Sequence, residues 1–155
     1  MNSASSESPK RVLPPAYLLA AVVLMIGLHL LLPVRQLISA PYRFLGLIPL
    51  AAGLVAVLSV AARFKRAGTT IKPFEPSSAL VDGGLYRFTR NPIYLGMVCG
   101  LVGVGVLAGS VTPFLVVPAF AWLIDRRFIR VEETMLEQTF GSRYTAYKAR
   151  VRRWL

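Results

Sequence analysis

Apolar residues in this chain gather into four long stretches, and nearly all of its positive charge falls in alternate intervals between them. A helix needs about 20 mostly apolar residues to cross ~30 Å of hydrocarbon. The stretches at residues 17–32, 44–62, 93–108 and 111–124 reach or approach that length. The last two are separated only by a short run around Gly109-Ser110-Val111-Thr112-Pro113, which predicts a tight helical hairpin. Both are short for a span, as expected of a thin or tilted pair.

Charge sets the orientation. Sixteen of the 18 Lys and Arg residues lie before the first stretch, between the second and third, or after the fourth, and two lie in the other connections. The positive-inside rule then puts both termini and the middle loop in the cytoplasm. Only 16% of the 155 residues are charged and 55% are hydrophobic, whereas soluble domains carry about 25% charged residues. A net charge of +11 in a soluble chain points to nucleic acid. Here the basic residues are what remains outside the bilayer, so membrane lipid is the expected partner and nucleic acid is not. A lone Cys99 and a lone His29 exclude a disulfide framework and a Cys/His zinc cluster, and no metal is expected. The fold class is all-α: a polytopic membrane protein of four transmembrane helices, with a cytoplasmic loop and C-terminal amphipathic helices forming the site. Residues 1–12 read as a disordered polar tail and residues 13–155 as one membrane domain. The first stretch exceeds the about 7–15 apolar residues of a signal peptide and shows no small-x-small cleavage site.

The loop from Arg63 to Asn91 is too long for a mere connection; Pro73 and Pro76 interrupt helix, and Asp82-Gly83-Gly84 reads as a turn. Beyond Ile124 the fourth span extends as an amphipathic helix to Thr139, with Gly141 ending it. Ser142 reads as the cap of a last helix in which Tyr144, Tyr147 and Val151 share a face. The opposite, basic face suits anionic headgroups. His29, on an apolar helix, reads as a packed residue.

Two runs carry the chemistry. Gly84-Leu85-Tyr86-Arg87-Phe88-Thr89-Arg90-Asn91-Pro92-Ile93-Tyr94-Leu95-Gly96 leads into the third span. Glu132-Glu133-Thr134-Met135-Leu136, then Phe140-Gly141-Ser142-Arg143-Tyr144-Thr145-Ala146-Tyr147, follows the fourth. Together, in this order around a short hairpin, they resemble the isoprenylcysteine carboxyl methyltransferase and phospholipid methyltransferase superfamily, in its small bacterial type. The resemblance covers roughly the last 85 residues. It implies an integral membrane methyltransferase of a bacterial inner membrane. S-adenosylmethionine would bind at the cytoplasmic end of the hairpin, and a lipophilic or membrane-delivered small acceptor (carboxylate, amine or thiol) would reach it from the bilayer. Asn91 stands where the eukaryotic prenylcysteine enzymes carry His. Asn exchanges hydrogen bonds but does not titrate near neutral pH, which weighs against a prenylcysteine acceptor.

The resemblance assigns catalysis to Arg90 and Glu133, and cofactor binding to Tyr86, Asn91, Pro92, Tyr94, Gly96, Glu132, Glu133, Tyr144 and Tyr147. Each has a plainer reading beside it. Arg90 is either a positive-inside anchor or the donor of a charge-assisted bond to a carboxylate. Tyr86 and Tyr94 suit an aromatic belt as well as a pocket. Gly96 with Gly100, and Gly105 with Gly109, form small-xxx-small pairs that bring helices close. Glu133 lies three residues from Arg130, the spacing of a weak helical ion pair. Adjacent glutamates point about 100° apart, so one would bind the cofactor while the other holds an arginine. Tyr144 and Tyr147 either close the pocket or pack the last helix on the loop. Two other functions compete: an NADPH-dependent membrane reductase of the sterol type, and a non-catalytic four-span carrier or accessory subunit.

Overall fold

The computed structural model describes residues 13–66, 68 and 80–155. The polar tail and the loop around Pro73 and Pro76 lie outside the described residues. All regular structure among the described residues is helical apart from one isolated bridge. Helix α1 spans Pro14–Leu31, α2 Leu47–Arg66, α3 Pro92–Ala108, α4 Val116–Ile124, α5 Arg130–Phe140 and α6 Ser142–Arg150.

Helices α1 and α2, the latter with the 3-10 turn Tyr42–Gly46 that precedes it, are long and apolar enough to cross a bilayer. Only Pro14, Ala21 and Met25 are buried in α1, and only Gly53 and Val60 in α2. Leu19, Val23, Leu30, Leu54 and Val55 all stand more than half exposed. Helices apolar on every face and this exposed are adapted to lipid. Helix α3 is equally apolar but shorter. It starts at Pro92, whose missing N–H costs nothing in a first turn, and stops at Gly109 with φ +78°.

Helix α3 is the centre of the molecule. On one side its backbone meets that of α2: a Cβ on Gly53 would run into the Gly96 carbonyl, and one on Gly103 would lie 2.6 Å from the Gly46 carbonyl. The tightest contacts are therefore made by glycines seven apart, and Gly100 of the expected Gly96–Gly100 pair joins through its backbone nitrogen, 3.0 Å from a Cβ on Gly53. A Cβ on Gly100 would meet only Leu50, at 3.9 Å. On its other side α3 packs with α1 and α4 through Met25, Met97, Leu101, Phe120 and Ile124.

The fourth apolar stretch is less regular than its sequence implies. A 3-10 turn, Thr112–Leu115, leads into α4, and a π turn, Asp125–Ile129, joins α4 to α5. The flanking residues stay in the right-handed helical region, so one helix runs from Thr112 to Phe140. At Gly141, φ +51°, the chain turns directly into α6. Gly141 itself is the N-cap, without a side-chain bond, and Ser142 is the first helical residue, not the cap. The glycine ends one helix and starts the next, leaving no intervening position for a serine to cap.

At the end remote from these segments, the hairpin turn is fastened to the α1–α2 connection. Leu37 and Ile38 donate to the Gly109 carbonyl, and Val111 to that of Arg35. His29 Nδ1 lies 2.8 Å from the fully buried Ser110 hydroxyl, the packed role expected of it.

Candidate functional site

The π turn explains how two adjacent glutamates both come to face the protein. Val116, Phe120, Ile124 and Phe128 form a buried row four residues apart; Ile129 and Glu133 then continue it one residue further on. One residue inserted into an α-helix displaces the register by about 100°. Glu132 follows Phe128 by four and Glu133 follows Ile129 by four, so the doubled row carries each carboxylate inward.

The two then part. Tyr94 donates its phenolic proton to Glu132 Oε1 at 2.6 Å, with the Tyr94 ring tilted against Phe128 at 6.3 Å. Burial raises the Glu132 carboxyl from 4.5 to about 7, and the bond from Tyr94 pulls it back only in part. Tyr86 shares this environment: burial first, and the nearby Glu132 second, push its phenol above the usual range.

Glu133, buried, is held by two guanidinium groups. Arg153 donates Nη2 to Oε2 at 2.6 Å and Nε to Oε1 at 3.1 Å. Arg90 Nη2 approaches Oε1 at 3.2 Å. Arg153 also donates Nη1 to Asp125 Oδ1 at 3.2 Å, and the other oxygen of Asp125 takes Arg130 Nε at 2.9 Å. Arg130 thus pairs with Asp125 across the π turn and not with Glu133. The Arg90 side chain is only 9% exposed, and its Nε and Nη1 are buried without a hydrogen-bond partner. Buried donors are normally satisfied, and a buried cation strongly so. Three guanidiniums, Arg90, Arg130 and Arg153, face two carboxylates, Glu133 and Asp125, which leaves an excess of positive charge, the electrostatics of a site for an anion.

Arg153 is brought here by the C-terminal residues, which sequence reasoning gave to the last helix and its lipid-facing basic side; α6 instead ends at Arg150, and Val151 is extended. Arg90 N–H donates to the Arg152 carbonyl at 2.9 Å. The Thr89 hydroxyl and the Asn91 side-chain amide both donate to the Arg153 carbonyl, at 3.1 and 3.0 Å. Trp154 packs on the hydrophobic core. Among the three arginines at 150, 152 and 153, charge alone distinguishes none, and no spacing signal marks Arg153.

The structure brings together Tyr86, Arg90, Tyr94, Glu132, Glu133, Tyr144 and Tyr147. Tyr144 and Tyr147 are buried, their rings 6.0 Å apart. Tyr147 donates to the Tyr86 carbonyl at 2.7 Å, fixing α6 on the 3-10 turn Gly84–Arg87. Burial, then the charge of Glu133, pushes the Tyr144 phenol up to about 12. Pro92 starts α3, Asn91 spends its amide on the C-terminal backbone, and Gly96 is turned toward Gly53 and Val57 of α2. Beside the cluster runs a groove of about 720 Å³, lined by the last two turns of α2, from Ser59 to Arg66, and by Gly84, Leu85 and Tyr86. Arg90 and the glutamates are not part of its lining; Tyr86 borders both regions.

The phospholipid methyltransferase family model matches residues 41–143, which include α2, α3, the π turn and both glutamates. A protein-S-isoprenylcysteine O-methyltransferase of Schizosaccharomyces pombe is 31% identical over 72 residues, 46% of this chain but 30% of that enzyme. The chain therefore matches about a third of that relative's length. An uncharacterized Haemophilus influenzae protein is 38% identical over 63 residues, 41% of this chain and the whole of that protein. No solved structure matches the chain significantly. With more than half of its length matched by the family model, the chain belongs to the phospholipid methyltransferase family.

Proposed function

We propose that this chain transfers a methyl group from S-adenosylmethionine to a lipophilic or membrane-delivered acceptor at the cytoplasmic face of a bacterial inner membrane. In this reading residues 13–155 form one domain. Helices α1, α2, α3 and the apolar part of the Thr112–Phe140 helix cross the bilayer, with both termini cytoplasmic. The exposed apolar flanks of α1 and α2 and the one-sided distribution of charge support it.

One observation carries the cofactor assignment: Arg90 is buried with Nε and Nη1 unpartnered. Such a guanidinium fits a carboxylate, and the amino-acid end of S-adenosylmethionine carries one. Bound there, the cofactor supplies a methyl group made electrophilic by its sulfonium. Arg90 holds the carboxylate, and Glu133 with Arg153 holds Arg90. Glu132, bonded to Tyr94 and near Tyr86, would accept hydrogen bonds from the cofactor's amino group or ribose hydroxyls. Tyr144 and Tyr147 keep water from the polar cluster. Attack in line with the departing sulfur needs the acceptor atom held ~3–3.5 Å from the methyl carbon. The groove beside Tyr86 is the approach we assign to the acceptor.

A carboxylate acceptor requires no base; an amine or thiol must lose a proton. The sequence reading gives the catalytic role to Arg90 and Glu133. With both Glu133 oxygens engaged by guanidiniums, proton acceptance passes to Glu132, whose carboxyl at about 7 is matched to neutral pH. The test is a radiolabelled-methyl assay on the purified protein with membrane extract as acceptor. Label entering a lipophilic product supports the reading, and an inert protein across lipid, amine and thiol acceptors contradicts it.

A further inference from the structure

Building on that reading, we propose that Arg153 is a positioning residue: by occupying Glu133 it keeps two donors of Arg90 free for the cofactor's carboxylate. Arg90 and Arg153 compete for the two oxygen atoms of Glu133. A guanidinium and a carboxylate pair best as a two-pronged fork. Glu133 makes that fork with Arg153, through Nη2 at 2.6 Å and Nε at 3.1 Å. Arg90 is left a single contact, Nη2 at 3.2 Å to the oxygen it shares with Arg153 Nε. Its Nε and Nη1 are thereby left unpaired. Without Arg153, Oε2 of Glu133 is open, and Arg90 is the adjacent cation able to close a fork on it. Doing so would draw its donors away from any ligand.

The C-terminal residues are built to keep Arg153 in that place. Asp125 binds its third nitrogen. Its own carbonyl is fixed by Thr89 and Asn91, on either side of Arg90 in sequence, and the Arg152 carbonyl by the Arg90 N–H. Arg90 and Arg153 are thus held in register by backbone, and the division of Glu133 between them follows from that register. The segment lies beyond residues 41–143, which the family model matches.

The experiment measures binding of S-adenosylmethionine and of decarboxylated S-adenosylmethionine, which differ only in the carboxylate, to the detergent-purified full chain. Wild-type protein binds the first more tightly. Arg153→Met weakens the first about tenfold or more, the usual worth of a charge-assisted bond, and leaves the second unchanged. Arg153→Lys keeps the charge but only one prong, and loses part of the same preference; it also serves should Arg153→Met not fold. Equal weakening of both ligands would mean a merely structural role and overturn the inference. So would wild-type preference in Arg153→Lys, since charge alone would then suffice. Wild-type protein that binds neither ligand would overturn the functional reading as well, a separate and recognisable result.

Discussion

The phenol of Tyr94 and the carboxyl of Glu132 are 38 positions apart in sequence and 2.6 Å apart in space, with the tyrosine donating. Tyr94 lies in the first turn of α3, and Glu132 follows the π turn of the next helix in the hairpin. The bond joins the two motif runs of the sequence, and it holds a buried carboxyl whose proton is lost only near neutrality.

That proton makes stability depend on pH. Between pH 4.5 and about 7 the folded chain keeps a proton on Glu132 that the unfolded chain has released. Stability therefore falls as pH rises through this window and levels off above it. Glu132→Gln should flatten the fall, and Tyr94→Phe, which removes the one interaction lowering this pKa, should extend it to higher pH. Thermal melts in detergent from pH 5 to pH 8 read both effects. A wild-type profile with the same slope as Glu132→Gln would contradict the assignment.

The α2–α3 contact predicts an ordered glycine series. Gly53→Ala pushes a methyl into the Gly96 carbonyl, where backbone must move, and should cost about 1–3 kcal/mol or more. Gly100→Ala meets only Leu50 at 3.9 Å and gains helix propensity, so it should be neutral or stabilising. Equal melting temperatures for the two would mean the helices cross elsewhere.

At the remote end, the Thr112 hydroxyl reaches the Leu32 and Leu28 carbonyls at 2.9 and 3.3 Å, closing the C-terminus of α1. Thr112→Val should cost about 1 kcal/mol through the lost hydrogen bond, because the Leu28 and Leu32 carbonyls keep backbone donors from Leu32 and Val34. Because Thr112 is far along the hairpin from Arg90, cofactor affinity should not change. Ligand binding and melting measured on the same preparation separate the two effects.

Much of this was legible in the sequence because periodicity and charge act locally. Apolar stretches that reach or approach span length predict α1, α2 and α3, and Pro92 and Gly109 mark the limits of α3. The paired motifs name the tyrosines, Arg90 and both glutamates. Two features were hidden for physical reasons. A π turn leaves no signature in a 3.6-residue pattern; Phe128 and Ile129 read simply as neighbouring apolar residues until both are seen buried. Arg153 sits in a basic tail where positive charge is expected at any cytoplasmic membrane edge. Its place beside Glu133 arises from the bonds its backbone carbonyl accepts from the Thr89 and Asn91 side chains, more than 60 residues earlier. The glycine contact was half legible: close approach was foreseen, but its seven-residue spacing is set by the crossing of α2 on α3.

The most direct test of the account is a calorimetric titration of the purified chain with S-adenosylmethionine, repeated on Arg90→Met at matched stability. The account predicts one saturable site in the wild type and an affinity about 10–100-fold lower in the variant, the worth of a charged hydrogen bond to a carboxylate. No heat of binding in the wild type, or an unchanged affinity in Arg90→Met, would contradict it.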